Sequence, residues 1–261
     1  MSMIRPIFLI AGNTVTGVLR GVVLNVLLVL AGLLIITATM SGTFEEGEKL
    51  NRMLVDSGLG IITILGAMIA ILTGFIMIPR EIETRTIYPI LSKPVYRWQF
   101  VLGKFFGAVG VNAITVALLS FLFFVVYLLK THYFDVRLLT AIMMIFFTLV
   151  VLSGLIVFLS TFMSWIGTII VAGVVWFLGS YSQFLFDLAG NHSDNQLTSI
   201  VVKLLHYLLP NFQAMDLRYA IVEQELTRFE AMQILMPMGA GALFVLIVLA
   251  LGILIFNYRE L

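Results

Sequence analysis

Long uncharged apolar runs, separated by short clusters of charge, set the pattern of this chain. A helix needs about 20 apolar residues to cross the ~30 Å hydrocarbon core of a bilayer. Runs of that kind occupy residues 21–40, 58–79 and 105–129. No charged residue then appears from Leu138 to Phe186. As one helix that stretch would measure about 70 Å at ~1.5 Å per residue, more than twice the core thickness, so it must turn. Met163-Ser164-Trp165 is the expected turn, because a Trp suits the membrane–water interface. It divides the stretch into spans at 138–162 and 166–186, and a last run covers 236–256 and closes on Asn257, Tyr258 and Arg259. The expected fold is all-α: a polytopic membrane protein with six transmembrane helices, built as a single transmembrane domain over residues 1–261.

Three segments lie outside these runs. Residues 2–20 mix apolar positions with Arg5, Asn13, Thr14 and Arg20, which predicts an interfacial helix along the membrane surface. The apolar run after them is too long for a signal peptide, so the first span is expected to be retained. Residues 80–104 carry Arg80, Arg85, Lys93, Arg97 and Lys104, the densest basic cluster of any short connection. Basic loops stay in the cytoplasm. With an even number of spans, both termini are then cytoplasmic, and the acidic Thr43–Asp56 loop and segment 187–235 are external. In that external segment Leu197, Ile200, Val201, Leu204, Leu205, Leu208 and Leu209 recur at helical spacing and make one apolar face, which Pro210 stops. Leu217 to Leu235 also reads helical. These external helices either cap the mouth of a pathway or rest on the outer leaflet.

Composition agrees with a lipid-facing exterior: 61% of the residues are hydrophobic and 11% charged, against about 25% charged in a soluble domain. A net charge of +1 gives no general attraction for nucleic acid. Without cysteine there are no disulfides, thiol nucleophiles, iron–sulfur clusters or Cys-type zinc sites. His132, His192 and His206 lie on separate segments without metal-ligand spacing. Gly103-Lys104 lacks the upstream glycine and following hydroxyl of a phosphate-binding loop, and no other stretch supplies one. No catalytic residue, cofactor site or metal site is expected in this chain. An ion- or proton-coupled carrier or channel would want ionisable groups in its spans, and a membrane-embedded lipid-modifying enzyme would want a cluster of reactive side chains at one depth. The spans carry Ser, Thr, Asn25 and Asn112 instead. Most of the hydroxyls are expected to bond their own backbone, and the two Asn to face protein. The spacing Gly103…Gly107, with Gly110 following, permits close helix approach.

Within the basic segment, Glu81 and Arg85 stand at i, i+4, which supports a short surface helix, and Pro94 suits the first turn of the next one. The residues alone leave two readings open: a docking element for a cytoplasmic partner, or an ordinary positive-inside loop. The string itself is distinctive. Glu81 and Glu83, then Thr86, then Leu91-Ser92-x-Pro94, then Arg97, then Gly103-Lys104 resembles the permease subunits of type 2 ABC exporters, in the branch that includes the permease of the nitrous-oxide-reductase maturation transporter. Many relatives have Gly-Thr where this chain has Arg85-Thr86. The Thr14…Arg20 lead-in and Leu209-Pro210-Asn211-Phe212 are similar as well. The resemblance implies a multi-pass permease of the cell membrane that lacks its own ATPase. Two permeases, copies or relatives, would form the pathway together with a separate ATP-binding subunit, which holds ATP and magnesium. It implies that Glu81, Glu83, Arg85, Thr86, Leu91, Ser92, Pro94, Arg97 and Lys104 form the ATPase-coupling segment. The apolar spacing, apart from the resemblance, assigns Leu197, Val201, Leu204, Leu205, Leu208 and Pro210 to an external cap helix open to an extracytoplasmic partner.

Overall fold

The computed structural model describes residues 5–41, 48–76, 96–132, 135–182, 210–218 and 231–258. Seven α-helices lie among them: α1 (Arg5–Leu19), α2 (Val22–Ser41), α3 (Glu48–Ile76), α4 (Arg97–Thr131), α5 (Arg137–Ser160), α6 (Trp165–Ser180) and α7 (Ala231–Tyr258), with a short 3₁₀ turn at Gln213–Met215. No strand occurs among the described residues. Four helices are long and apolar enough to cross a membrane, namely α3, α4, α5 and α7, and α1 with α2 adds a fifth crossing if that bent pair is one span. At 16 residues α6 is shorter, about 24 Å at ~1.5 Å per residue.

The outside of the bundle is apolar. Val26, Val29 and Leu33 on α2, Phe121 and Leu129 on α4, and Leu243, Leu246 and Leu254 on α7 are all exposed. So much contiguous exposed hydrocarbon would aggregate in water and suits lipid contact. α5 is the inner helix: Val151 through Val157 are buried without a break, so it has no outward face over those two turns. α4 touches α1, α2, α3, α5 and α7. Close packing on α5 is set by small residues opposite branched ones, such as Gly66 of α3 against Leu149 and Gly154 against Val245 of α7.

Close contacts fix the relative direction of the helices. Gly58 of α3 meets Phe123 of α4 near one end of the bundle, whereas Gly74 meets Ile156 and Thr168 near the other. Gly241 of α7 faces Phe147 and Val151, and Gly252 faces Phe158 and Thr161. The helices from α3 to α7 therefore alternate in direction, and the start of α4 shares an end with the finish of α7. The reversal between α5 and α6 falls at 161–164, where the Ser164 hydroxyl accepts from Gly167 N–H (3.4 Å) as an N-cap.

Two elements differ from the sequence expectation. α3 begins at Glu48, ten residues before the apolar run at 58, and so takes in Arg52 and Asp56 of the supposed external loop. Backbone i to i−4 hydrogen bonds hold a helix in water as well as in lipid, so charge ends the lipid-facing run without ending the helix. Leu54 and Val55 are buried, and Tyr127 at the far end of α4 donates to Asn51 Oδ1 (2.8 Å). Residues 5–19 are helical, but α1 is no free-standing surface helix: it lies lengthwise on the first turns of α4. A Cβ on Gly103 would come within 2.8 Å of Ile10 Cβ, and one on Gly107 within 2.7 Å of Thr14 Cβ. α1 meets Leu24–Thr37 at 62°. The break needs Gly21, whose N–H bonds Val18 O at 2.9 Å and where a side chain would press on that same carbonyl.

Candidate functional site

At the end of the bundle shared by α4 and α7, the last residues of the basic segment are built into both helices. Tyr96 precedes α4 in extended backbone, and its N–H donates to Gln99 Oε1 (3.0 Å), which covers one donor that the helix start leaves open. Arg97 turns away from α4: its Nη1 donates to the carbonyl oxygens of Phe256 (2.9 Å) and Asn257 (3.1 Å) in the last turn of α7. Phe100 stacks on Phe256, with centroids 5.7 Å apart and planes 15° from parallel, and both rings are fully buried. Lys104 is buried too, its Nζ 5.5 Å from the centre of the Phe100 ring, within range of a cation–π contact. Of the residues assigned to coupling, Arg97 and Lys104 are thus placed together on one side of α4. Glu81, Glu83, Arg85, Thr86, Leu91, Ser92 and Pro94 lie outside the described residues.

The opposite end of the bundle carries the Pro210–Arg218 segment. Leu197, Val201, Leu204, Leu205 and Leu208 lie outside the described residues, whereas Pro210 is placed and buried. Its carbonyl sits where a Cβ on Gly179 of α6 would come within 2.7 Å. Asn211 Oδ1 accepts from Ser182 Oγ (3.3 Å) and Ala214 N–H (3.0 Å), which holds the turn on α6. Phe212 and Met215 are buried, Met215 against Gly241 of α7. Arg218 is paired to Asp216, its Nε donating at 2.8 Å to each carboxylate oxygen, and its Nη1 reaches the backbone of α3 at Gly60. Sequence reasoning singled out Leu209-Pro210-Asn211-Phe212 but not its packing on α6, α7 and α3. The one signal of that packing is the Leu-Pro-Asn-Phe string followed by an Asp-x-Arg pair.

Beneath the turn lies an open cleft of about 850 Å³. Leu155 and Phe158 of α5, Val175 of α6, and Phe244 and Leu251 of α7 form its walls, and Pro210 and Met215 close one end. Among the described residues the lining is apolar apart from Asn211, which suits hydrocarbon.

Between α4 and α5 the bundle holds one polar cluster. Asn112 Nδ2 donates to Leu149 O (3.2 Å) and Ser153 Oγ (2.7 Å), while Ser153 donates to the same carbonyl (2.8 Å). A carbonyl only accepts, so the amide nitrogen faces it and Oδ1 points elsewhere. Oδ1 has no partner among the described residues, and neither has the buried Thr115 hydroxyl one turn on. Other hydroxyls bond their own helix, as Thr63 does to Leu59, Thr148 to Met144 and Ser160 to Val157. Asn112 faces protein, as expected, at 1% exposure. Asn25 is exposed on this chain, as the fourth residue of α2 beside its break with α1.

No group of His, Asp or Glu suited to a metal occurs among the described residues. The arrangement offers a tie between two helix ends, an apolar cleft and a buried polar node. Comparison with curated proteins yields no match. The sequence profile described as "ABC-2 family transporter protein" matches residues 11–261, nearly the whole chain, and the chain therefore belongs to the ABC-2 transporter family, as a multi-pass permease subunit of an ABC transporter.

Proposed function

We propose that the chain is the permease of an ATP-driven exporter of the type 2 class, paired with a second permease and driven by a separate ATP-binding subunit that binds ATP and magnesium. The part of the 80–104 segment that precedes α4 docks into that subunit from the cytoplasm, with Glu81, Glu83, Arg85, Thr86, Leu91, Ser92 and Pro94 at or near the contact, while Arg97 and Lys104 join it to the bundle. Six spans then cross the cell membrane: α1 with α2 as the first, α3, α4, α5, α6 extended by the residues after it, and α7. Both termini are cytoplasmic. α1 straddles the cytoplasmic interface beside α4, with its exposed Phe8 and Leu9 turned toward lipid. The 187–235 segment is external, and the Leu197–Leu208 face caps the outer end. The Leu91-Ser92-x-Pro94 string aligns the chain with the nitrous-oxide-reductase maturation branch.

One observation carries this reading. The basic segment runs straight into α4, and α4 touches every long helix of the bundle. At 35 residues α4 is about 52 Å long, some 20 Å more than the hydrocarbon core. A helix that projects from the membrane and touches all its neighbours suits the delivery of a push. Closure of the ATPase pair on nucleotide would press on the segment, and differential binding to the closed state would shift the bundle between inward and outward openings.

Purification in mild detergent from native membranes tests this. The expected result is a stoichiometric ATP-binding subunit whose attachment fails when residues 81–97 are altered. A chain that purifies alone at every detergent mildness sinks the proposal.

A further inference from the structure

Arg97 stands in the first turn of α4 and spends two hydrogen bonds on a helix end 159 residues away. Carbonyls in the last turn of a helix lack intrahelical donors and carry the negative end of the helix dipole. A guanidinium answers both needs: it presents several donors in a rigid fork and carries a positive charge. Charge-assisted bonds of this kind are roughly twice as strong as neutral ones. One turn further on, Phe100 and Phe256 stack face to face at full burial. Both contacts converge on Phe256, one through its carbonyl and one through its ring, and together they tie the end of α7 to the first turn of α4.

This joint gives a push on the cytoplasmic segment a direct route to the end of α7. α4 contributes no wall to the apolar cleft, whereas α7 supplies one side of it from Met236 to Leu251. We propose that Arg97 is a positioning residue that makes α7 move with the cytoplasmic segment, so that one push is delivered to two helices far apart in sequence and reaches the cleft through α7. The proposal rests on the coupling reading of residues 80–104. If Arg97 instead merely caps α7, its loss lowers stability and leaves the coordination of the helices intact.

The chain has no cysteine, so introduced cysteines take spin labels cleanly. Phe106 on α4, Ile166 on α6 and Leu254 on α7 are exposed and outside the cleft and the joint. In the complex with its ATP-binding subunit, pulsed EPR distances are measured with and without ATP for the pairs Ile166→Cys/Leu254→Cys and Ile166→Cys/Phe106→Cys. Both pairs shift on ATP in the parent chain. In Arg97→Gln the Leu254 pair loses its shift and the Phe106 pair keeps it. Arg97→Lys, which retains the charge and can reach one carbonyl, restores part of the Leu254 shift and serves as the readout if the Gln variant does not fold. A full Leu254 shift in Arg97→Gln, or in Arg97→Lys where only that variant folds, overturns the relay while leaving the coupling reading standing, and so does loss of both shifts together. Absence of any shift in the parent chain overturns the coupling reading and the relay with it.

Discussion

Asn112 and Thr115 stand one turn apart on α4, both about 1% exposed, in a setting without water to fall back on. Their contributions should differ in sign. Asn112 makes two hydrogen bonds across to α5, and such bonds in membrane bundles are worth about 0.6 kcal/mol each on average. Asn112→Ala is expected to cost about 1–2 kcal/mol once the cavity is included, seen as a lower midpoint in thermal unfolding of the purified protein. The Thr115 hydroxyl has no partner among the described residues. Replacing an unsatisfied buried hydroxyl with a methyl of the same shape removes a desolvation cost. Thr115→Val should therefore leave the midpoint unchanged or raise it, and a drop as large as that of Asn112→Ala would show that the hydroxyl has a partner.

At the scale of elements, the seam between α1 and α4 gives a sharper contrast. Gly107→Ala puts a methyl 2.7 Å from Thr14 Cβ and 3.2 Å from Ala11 O, which forces the helices apart at a cost of about 1–3 kcal/mol. Gly173→Ala on α6 meets nothing within 4 Å, and there the gain in helix propensity of up to ~1 kcal/mol acts alone. Melting both variants, with proteolysis of the N-terminal residues as a second readout, should place them on opposite sides of the parent chain. These elements also mark how far the sequence could be read. The apolar runs were plain because lipid demands them, and the reversal at Met163-Ser164-Trp165 was legible because the uncharged stretch from Leu138 to Phe186 is too long for one span and a Trp suits the interface. The Gly103, Gly107, Gly110 spacing announced a close approach without saying to what. The early start of α3 was hidden because charge marks the edge of lipid, and a helix does not end at that edge. The partner of Arg97 was out of reach for a different reason: a contact across 159 residues leaves no local period.

For the whole molecule, sidedness is the first question, and the absence of cysteine makes it direct. Single cysteines at Thr43 and Ser92 should label from opposite faces of intact membranes, Ser92 from the cytoplasmic one; labelling from the same face would break the even span count. Glu83→Lys and Arg85→Glu should each reduce the ATPase rate of the assembled complex without changing the amount of chain in the membrane. Normal coupling in both would move the contact away from this part of the segment. The packing of α1 on α4 has a further consequence, for the order of events during synthesis. Ile10 meets Gly103, about 90 residues later in the chain. At roughly 5–20 residues per second a ribosome needs about 5–20 s to supply that partner. Throughout that interval α1 is without the groove that receives Ile7 and Val18, and its apolar side chains have only the membrane surface to rest on. The first helix to be made thus waits for the fourth before it finds its place.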